Sequence, residues 1–180
     1  MLPLGSWPAE ARRWTEGVNL NLCYNIHMIR VYTDGSSRGN PGKGGWGFMI
    51  EGGAERGGFE TETTNNKMEL QAVIEAFKYL INQKTADETI EIYTDSEYVI
   101  KGLTIWIDGW IKRDWMTAAK KPVLNQDYWK ELSNLKYTLK QMKNTVHMRY
   151  VPGHAGIAGN ERVDTIATTC AIEQRGHRQN

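Results

Sequence analysis

Four short segments each carry a carboxylate in a setting that could aim it: Asp34 in TDGS, Glu69 in NNKMEL, Asp95 in TDSEY and Asp164 in GNERVD. Asp34 and Asp95 each end a β-branched, aromatic run, and Glu69 stands one residue before Leu70, at the border of an apolar helical stripe. Four anions that converge repel one another unless a cation joins them. Magnesium suits that role, because it takes a few carboxylate oxygens, keeps waters and holds phosphates. The set therefore predicts magnesium chemistry on phosphates.

Taken singly, each residue has a plainer explanation. Asp34-Gly35 is a common turn pair. Asp95 or Ser96 can cap a following helix. Asp164, placed by the pattern in the first turn of a last helix, is favoured there by the helix dipole. His154 lies among Gly153, Gly156 and Gly159 in a loop, where a lone histidine is ordinarily a solvated surface group. Beside an acidic metal cluster, however, a side chain with an unperturbed pKa of about 6.5 can move protons near neutrality.

Positive charge is local. The 180 residues carry a formal net charge of only +1, so a nucleic-acid partner must be met by a patch and not by the whole surface. Lys101, Lys112, Arg113, Lys120 and Lys121 cluster among Trp106, Trp110 and Trp115, an arrangement that suits a phosphate backbone as well as an ordinary solvated face. The GNPGKGG segment is glycine-rich, yet it lacks GxxxxGK[ST] and lies between antiparallel strands, which excludes a triphosphate loop.

The elements that must position these groups follow from periodicity. IRVYTD, GWGFMIE and GGFETET read as three strands of an antiparallel meander joined by turns. Leu70, Val73, Phe77, Leu80 and Ile81 recur at helical spacing, so a helix starts near Asn65 and Asn66. TIEIYTD is a strand, and the segment from Ser96 to Trp115 is helical with an interruption at Gly109. A helix with Trp129, Leu132, Leu135 and Leu139 on one face, a strand at 145–151, the GHAG loop and a helix from Glu161 complete the chain. The last residues, EQRGHRQN, read as a frayed tail. This order predicts an α/β domain with a mixed sheet and helices on its faces.

Residues 1–27 show no sustained period and read either as an N-terminal arm or as sequence upstream of a start at Met28. Cys23 and Cys170 have neither CxxC spacing nor adjacent histidines, so a zinc site and a disulfide framework are not expected, and a reduced, intracellular setting is. No apolar run approaches the roughly 18 residues of a membrane span, and the first 27 residues lack a secretory apolar core.

The motifs TDGS, GNPG, TTNNKMEL, TDSEYV and VPGHAG...GNERVD occur in one order at domain-sized spacing, and the chain resembles type 1 ribonuclease H of the bacterial kind. The resemblance covers about 28–172, with the basic handle at about 101–125 and a tail at 173–180. It implies the ribonuclease H-like fold, a five-stranded mixed sheet flanked by helices, and endonucleolytic cleavage of the RNA strand of RNA/DNA hybrids to 3′-hydroxyl and 5′-phosphate ends. It also implies two magnesium ions roughly 4 Å apart, with manganese as a substitute, held by Asp34, Glu69, Asp95 and Asp164. Within that set Asp34 bridges, Glu69 takes the leaving-group side, Asp164 takes the nucleophile side, and His154 assists proton transfer or product release.

For the substrate, the resemblance assigns the Gly35 backbone, Asn40, Asn65 and Asn66 to 2′-hydroxyls, contacts that read sugar and shape and not base. Thr64 falls on a DNA phosphate, and Trp106, Lys112, Trp115, Lys120 and Lys121 on the handle's hold of the DNA strand. A cytoplasmic monomer is expected. Two departures add negative charge beside that path: Glu62, where many relatives carry a basic residue, and Glu97, where many have Gln. Two other readings compete, a hybrid-binding module without catalysis and a transposase- or integrase-like DNA nuclease.

Overall fold

The β-branched run that begins at Met28 is the central thread of the molecule. The structure is a computed structural model that describes residues 28–180. The expectations for residues 1–27, including Cys23, lie outside the described residues.

Strand β1 (Met28–Gly39) pairs antiparallel with β2 (Gly42–Ile50) and parallel with β4 (Thr89–Thr94). β2 pairs antiparallel with β3 (Glu55–Thr63), and β4 pairs parallel with β5 (Thr145–Tyr150). Helix α1 (Asn65–Asn82) joins the meander to β4. Helix α2 (Glu97–Lys101), a π-helical segment (Gly102–Trp106) and α3 (Ile107–Lys112) lead into the handle. Helix α4 (Gln126–Gln141) precedes β5, and α5 (Ala158–Glu173) follows it.

Because β1 is covered on both faces, successive residues Thr33, Asp34 and Gly35 are all buried. On one face α1 and α4 bury Val31, Phe48, Leu70, Val73, Phe77, Ile90, Ile92, Trp129 and Leu132. On the other, Val163, Ile166, Ala167 and Cys170 of α5 lie against the glycine-bearing stretch of β2 and β3, which leaves room for close approach. The mixed α/β architecture expected from the pattern is present.

Four expectations are corrected. The sheet has six strands, ordered β5-β4-β1-β2-β3-β6, and not five. The sixth is β6 (His177–Gln179), formed by the tail read as frayed; it pairs antiparallel with β3 at Glu55, Arg56 and Gly57. Glu55, only 8 % exposed, fastens it: its carboxylate accepts from Arg162 Nη2 of α5 at 2.6 Å and lies 3.1 Å from His177 Nε2.

The interruption expected at Gly109 is instead the π-helical segment seven residues earlier, and Gly109 lies inside α3. Gly102 meets the Trp129 ring so closely that a Cβ there would stand 2.0 Å from it. The wide turn that results sends the Leu103 carbonyl to Lys136 Nζ at 3.0 Å, which satisfies it outside the helix. Finally, α5 begins at Ala158 and not near Glu161, so Asp164 lies beyond the first turn and the helix dipole does not account for it.

Candidate active site

All four carboxylates line one cavity of about 210 Å³ beside the C-terminal end of β4, together with Gly35, Ser36, Asn65, His154 and Asn160; Asp34, expected to end its strand at a turn, lies within β1, which runs on to Gly39 paired with β2. β1 delivers Asp34 on the face toward α5, the residue after β4's Thr94 is Asp95, α1 supplies Glu69 from its second turn, and α5 supplies Asp164. Two glycines allow the convergence. A Cβ on Gly35 would stand 2.1 Å from the Glu69 backbone nitrogen, so this glycine seats α1 on β1. Gly35, whose backbone is expected at a 2′-hydroxyl, thus has a packing task as well. A Cβ on Gly153 would stand 2.6 Å from Asp95 Oδ2, so the histidine loop lies directly on that carboxylate.

The electrostatics follow from this crowding. Asp34 is pushed up to about 8, first by burial, then by Asp95, with Asp164 and Glu69 adding to the rise; the Gly35 N–H, 2.7 Å from Oδ1, opposes it. Glu69 is raised by burial and by Asp95, against hydrogen bonds from Ser96 and Asn65. Ser96 Oγ donates to Glu69 Oε2, and Asn65 Nδ2 donates to Oε1 at 2.8 Å. Asp164 accepts from Thr168 Oγ1 at 3.3 Å, and its Oδ2 lies 3.9 Å from His154 Nδ1. The His154 side chain is 82 % exposed, on backbone of positive φ, at the mouth of the cavity.

The donor set fits hard divalent cations. Among the described residues, no three His, Cys, Asp or Glu side chains already surround one point in ligating geometry. Magnesium does not need such a cage: it keeps waters and takes one or two carboxylates plus substrate phosphate. What the cavity supplies is a set of oxygen donors, Asp34 buried and the other three half-buried, whose mutual repulsion a divalent charge relieves.

A second cavity, of about 560 Å³, adjoins the first through Asn65, which lines both. Asn40, Thr64, Asn66, Lys67, Asn125 and Tyr128 also line it. Thr64 caps α1, its Oγ1 accepting from Lys67 N at 3.4 Å, which leaves the hydroxyl proton free for another acceptor. The expected substrate residues around the Asn pair are thus brought together. Those of the handle form a separate group. Trp106 packs against Tyr98 and Trp110 at 6.2 and 5.6 Å, Trp115 lies under Lys130 at 5.7 Å, and Lys112, Lys120 and Lys121 are exposed.

Two residues of these cavities were missed in the sequence, Asn125 and Asn160, and Ser96, expected only as a helix cap, also holds Glu69. Asn125 sits in a left-handed conformation just before α4, and Asn160 is 2 % exposed with an unpartnered Oδ1. Polar residues at helix entries are so common that only their placement in space singles them out.

Comparison with known proteins gives one result. A family model described as RNase H matches residues 27–172. A ribonuclease H of Thermosynechococcus vestitus is 52 % identical over 145 residues, 78 % of this chain and 87 % of that protein. One of a Cyanothece species is 46 % identical over 151 residues, 82 % and 91 % of the two chains. Among solved structures, LC9-RNase H1, a type 1 RNase H with the type 2 active-site motif, aligns with a TM-score of 0.70 at 32 % identity, over 83 % of this chain and 74 % of its own. LC11-RNase H1 in complex with an RNA/DNA hybrid aligns with a TM-score of 0.60 at 26 % identity, over 81 % and 98 %.

Proposed function

The chain belongs to the ribonuclease H family, and from that premise we infer that it is an endonuclease hydrolysing the RNA strand of RNA/DNA hybrids. The observation that carries the reading is the single cavity that gathers Asp34, Glu69, Asp95 and Asp164 beside an amide-lined cleft. Activity depends on divalent metal, as it does across the family. Magnesium is the ion proposed, two per site with substrate bound and manganese able to substitute, held by those four carboxylates. When bound, such ions activate water for attack and stabilise the leaving 3′-oxygen.

The chain's own residues divide the rest of the work. Asp34 feels the charge of all three other carboxylates, which supports it as the shared ligand. Glu69, on the side of Asn65, takes the leaving-group side, where 2′-hydroxyl reading occurs. Asp164, with His154 near its Oδ2, takes the side of the attacking water; His154, exposed at the mouth of the cavity, accepts or returns a proton there. The products carry 3′-hydroxyl and 5′-phosphate ends.

Selectivity needs one strand with 2′-hydroxyls and one without. The Gly35 backbone, Asn40, Asn65 and Asn66 read the RNA sugars, and because Asn65 borders both cavities, reading is adjacent to cutting. Thr64, joined by Asn125, holds a DNA phosphate across the cleft. Trp106, Lys112, Trp115, Lys120 and Lys121 add sequence-independent attraction. The catalytic unit spans 28–172 with the handle at 101–125. No described helix is long and apolar enough to cross a membrane. We place the enzyme in the cytoplasm, as a monomer.

One assay tests the reading: purified protein with RNA/DNA hybrid, duplex DNA and duplex RNA, each with magnesium or EDTA. Magnesium-dependent loss of the hybrid's RNA strand alone is expected. Binding without cleavage would show an idle hybrid-binding module, and DNA strand transfer a transposase-like nuclease.

A further inference from the structure

Ser96 joins two parts of the molecule that the sequence keeps 27 residues apart. It is 5 % exposed, follows Asp95 directly and caps the first helix leading to the handle. Its hydroxyl has one proton and two lone pairs. Val99 N donates to Oγ at 3.3 Å, which makes Oγ the acceptor of the cap, and the proton goes to Glu69 Oε2. The Ser96 N–H is also fixed, donating to Thr94 Oγ1 at 3.2 Å. Little freedom is left to this residue.

Glu69 is therefore held at both oxygens, Oε2 by Ser96 and Oε1 by Asn65 at 2.8 Å. A carboxylate accepts about four hydrogen bonds or ligands, so each oxygen keeps a lone pair for a cation. The two donors fix the plane in which those lone pairs point. Asn65 is exposed and belongs to the substrate cleft, so hybrid competes for its amide; Ser96 is buried, and its one hydroxyl proton goes to Glu69.

We propose that Ser96 is a positioning residue for divalent-metal binding, orienting Glu69 from the N-terminus of the handle's leading helix. The proposal rests on the reading of the cavity as a divalent-metal site. It deepens that reading by tying one ligand's aim to the helix that leads into the handle, whose cap is also the support of Glu69.

The test is calorimetric titration of magnesium alone into the full chain, for the parent, Ser96→Ala, Ser96→Thr, Glu69→Gln and the Ser96→Ala/Glu69→Gln pair. Hydrogen bonds that orient a metal ligand are typically worth 10–100-fold in affinity. Ser96→Ala should weaken magnesium binding by about tenfold in the parent and leave it unchanged in the Glu69→Gln background. Ser96→Thr, which keeps the donor and the cap, should bind as the parent does and covers the case in which Ser96→Ala folds poorly. Equal losses in both backgrounds, or no loss in the parent, would overturn the proposal, since a cap alone acts without Glu69. A parent that fails to bind magnesium overturns both this and the metal-site reading. Hybrid cleavage measured in parallel separates the rest: a parent that binds magnesium without cutting counts against the activity and not against Ser96.

Discussion

Asp34 concentrates the tension of the cavity, because burial and three neighbouring carboxylates raise it to about 8 from an ordinary 3.8. In the metal-free protein the folded state thus keeps a proton that the unfolded chain has already released at neutral pH. Stability from this group is full below about 3.8 and falls as pH rises toward about 8. Asp34→Asn should therefore raise the melting temperature in EDTA near neutral pH and flatten its decline between those limits, by a margin on the order of 2–5 kcal/mol. The same substitution should abolish magnesium-dependent cleavage while hybrid binding persists. A denaturation series across pH with a cleavage assay checks both halves.

The two acidic departures differ in kind. Glu97 is held in an ion pair by Lys101 on the next turn of α2, whereas Glu62 is exposed on β3, two residues before Thr64. Glu62→Arg should tighten hybrid binding and steepen the log–log salt dependence by roughly 0.9, one further phosphate on a B-form duplex. Binding isotherms at several salt concentrations read it, and an unchanged slope would mean that the side chain points away from the backbone. The four carboxylates, His154 and the Asn pair were legible in the sequence because each lies in a short polar motif beside an apolar run, although the turn expected at Asp34-Gly35 is unbroken strand. Ser96, Asn125 and Asn160 were not, because what distinguishes them is which distant group they face.

Among the elements, the meander, α1, α4 and the edges of β4 were readable from apolar period, which is set by burial against one face. β6 was not: His177, Arg178 and Gln179 have no apolar alternation, and the strand is held by polar contacts made across the fold. Arg56 Nη2 donates to Asn180 Oδ1 at 2.6 Å, and Glu55 collects Arg162 and His177. The Arg162 hydrogen bond, aided by His177, holds the Glu55 carboxyl below its ordinary 4.5. Stability from this group is present above about 4.5 and is lost as pH falls through the depressed folded value. Arg162→Ala should cost about 1–3 kcal/mol at pH 7, discounted because the arginine is 40 % exposed. The cost should shrink on acidification as Glu55 protonates in both variants. Urea denaturation at pH 7 and pH 3 measures it, and amide exchange at Gly57 should quicken alongside if β6 loosens. Arg162 stands two residues before Asp164 on α5, so cleavage measured in parallel reads whether the loosening reaches the site.

At the scale of the whole molecule, an acidic cavity must receive a polyanion on a protein whose formal net charge is only +1. Attraction has to come from elsewhere on the surface, and Lys112, Lys120 and Lys121 are exposed on the handle to supply it. The handle can hold a fixed direction because its root is an aromatic cluster: Trp129, fully buried, contacts Tyr98 and Trp110 at 5.3 Å each, and Trp110 contacts Trp106 at 5.6 Å. Charge on such a support acts on encounter and grip, and not on the chemistry in a cavity lined by other elements. Replacing Lys112, Lys120 and Lys121 together by Ala should therefore raise KM for hybrid and leave kcat nearly unchanged. The log–log salt slope of binding should fall by roughly 0.9 for each lysine that meets a phosphate, up to about 2.7 in all. Steady-state kinetics at low and moderate salt decides the matter. A kcat that falls in step with kcat/KM would place these lysines in the reaction's transition state, and an unchanged slope would remove them from the substrate's path.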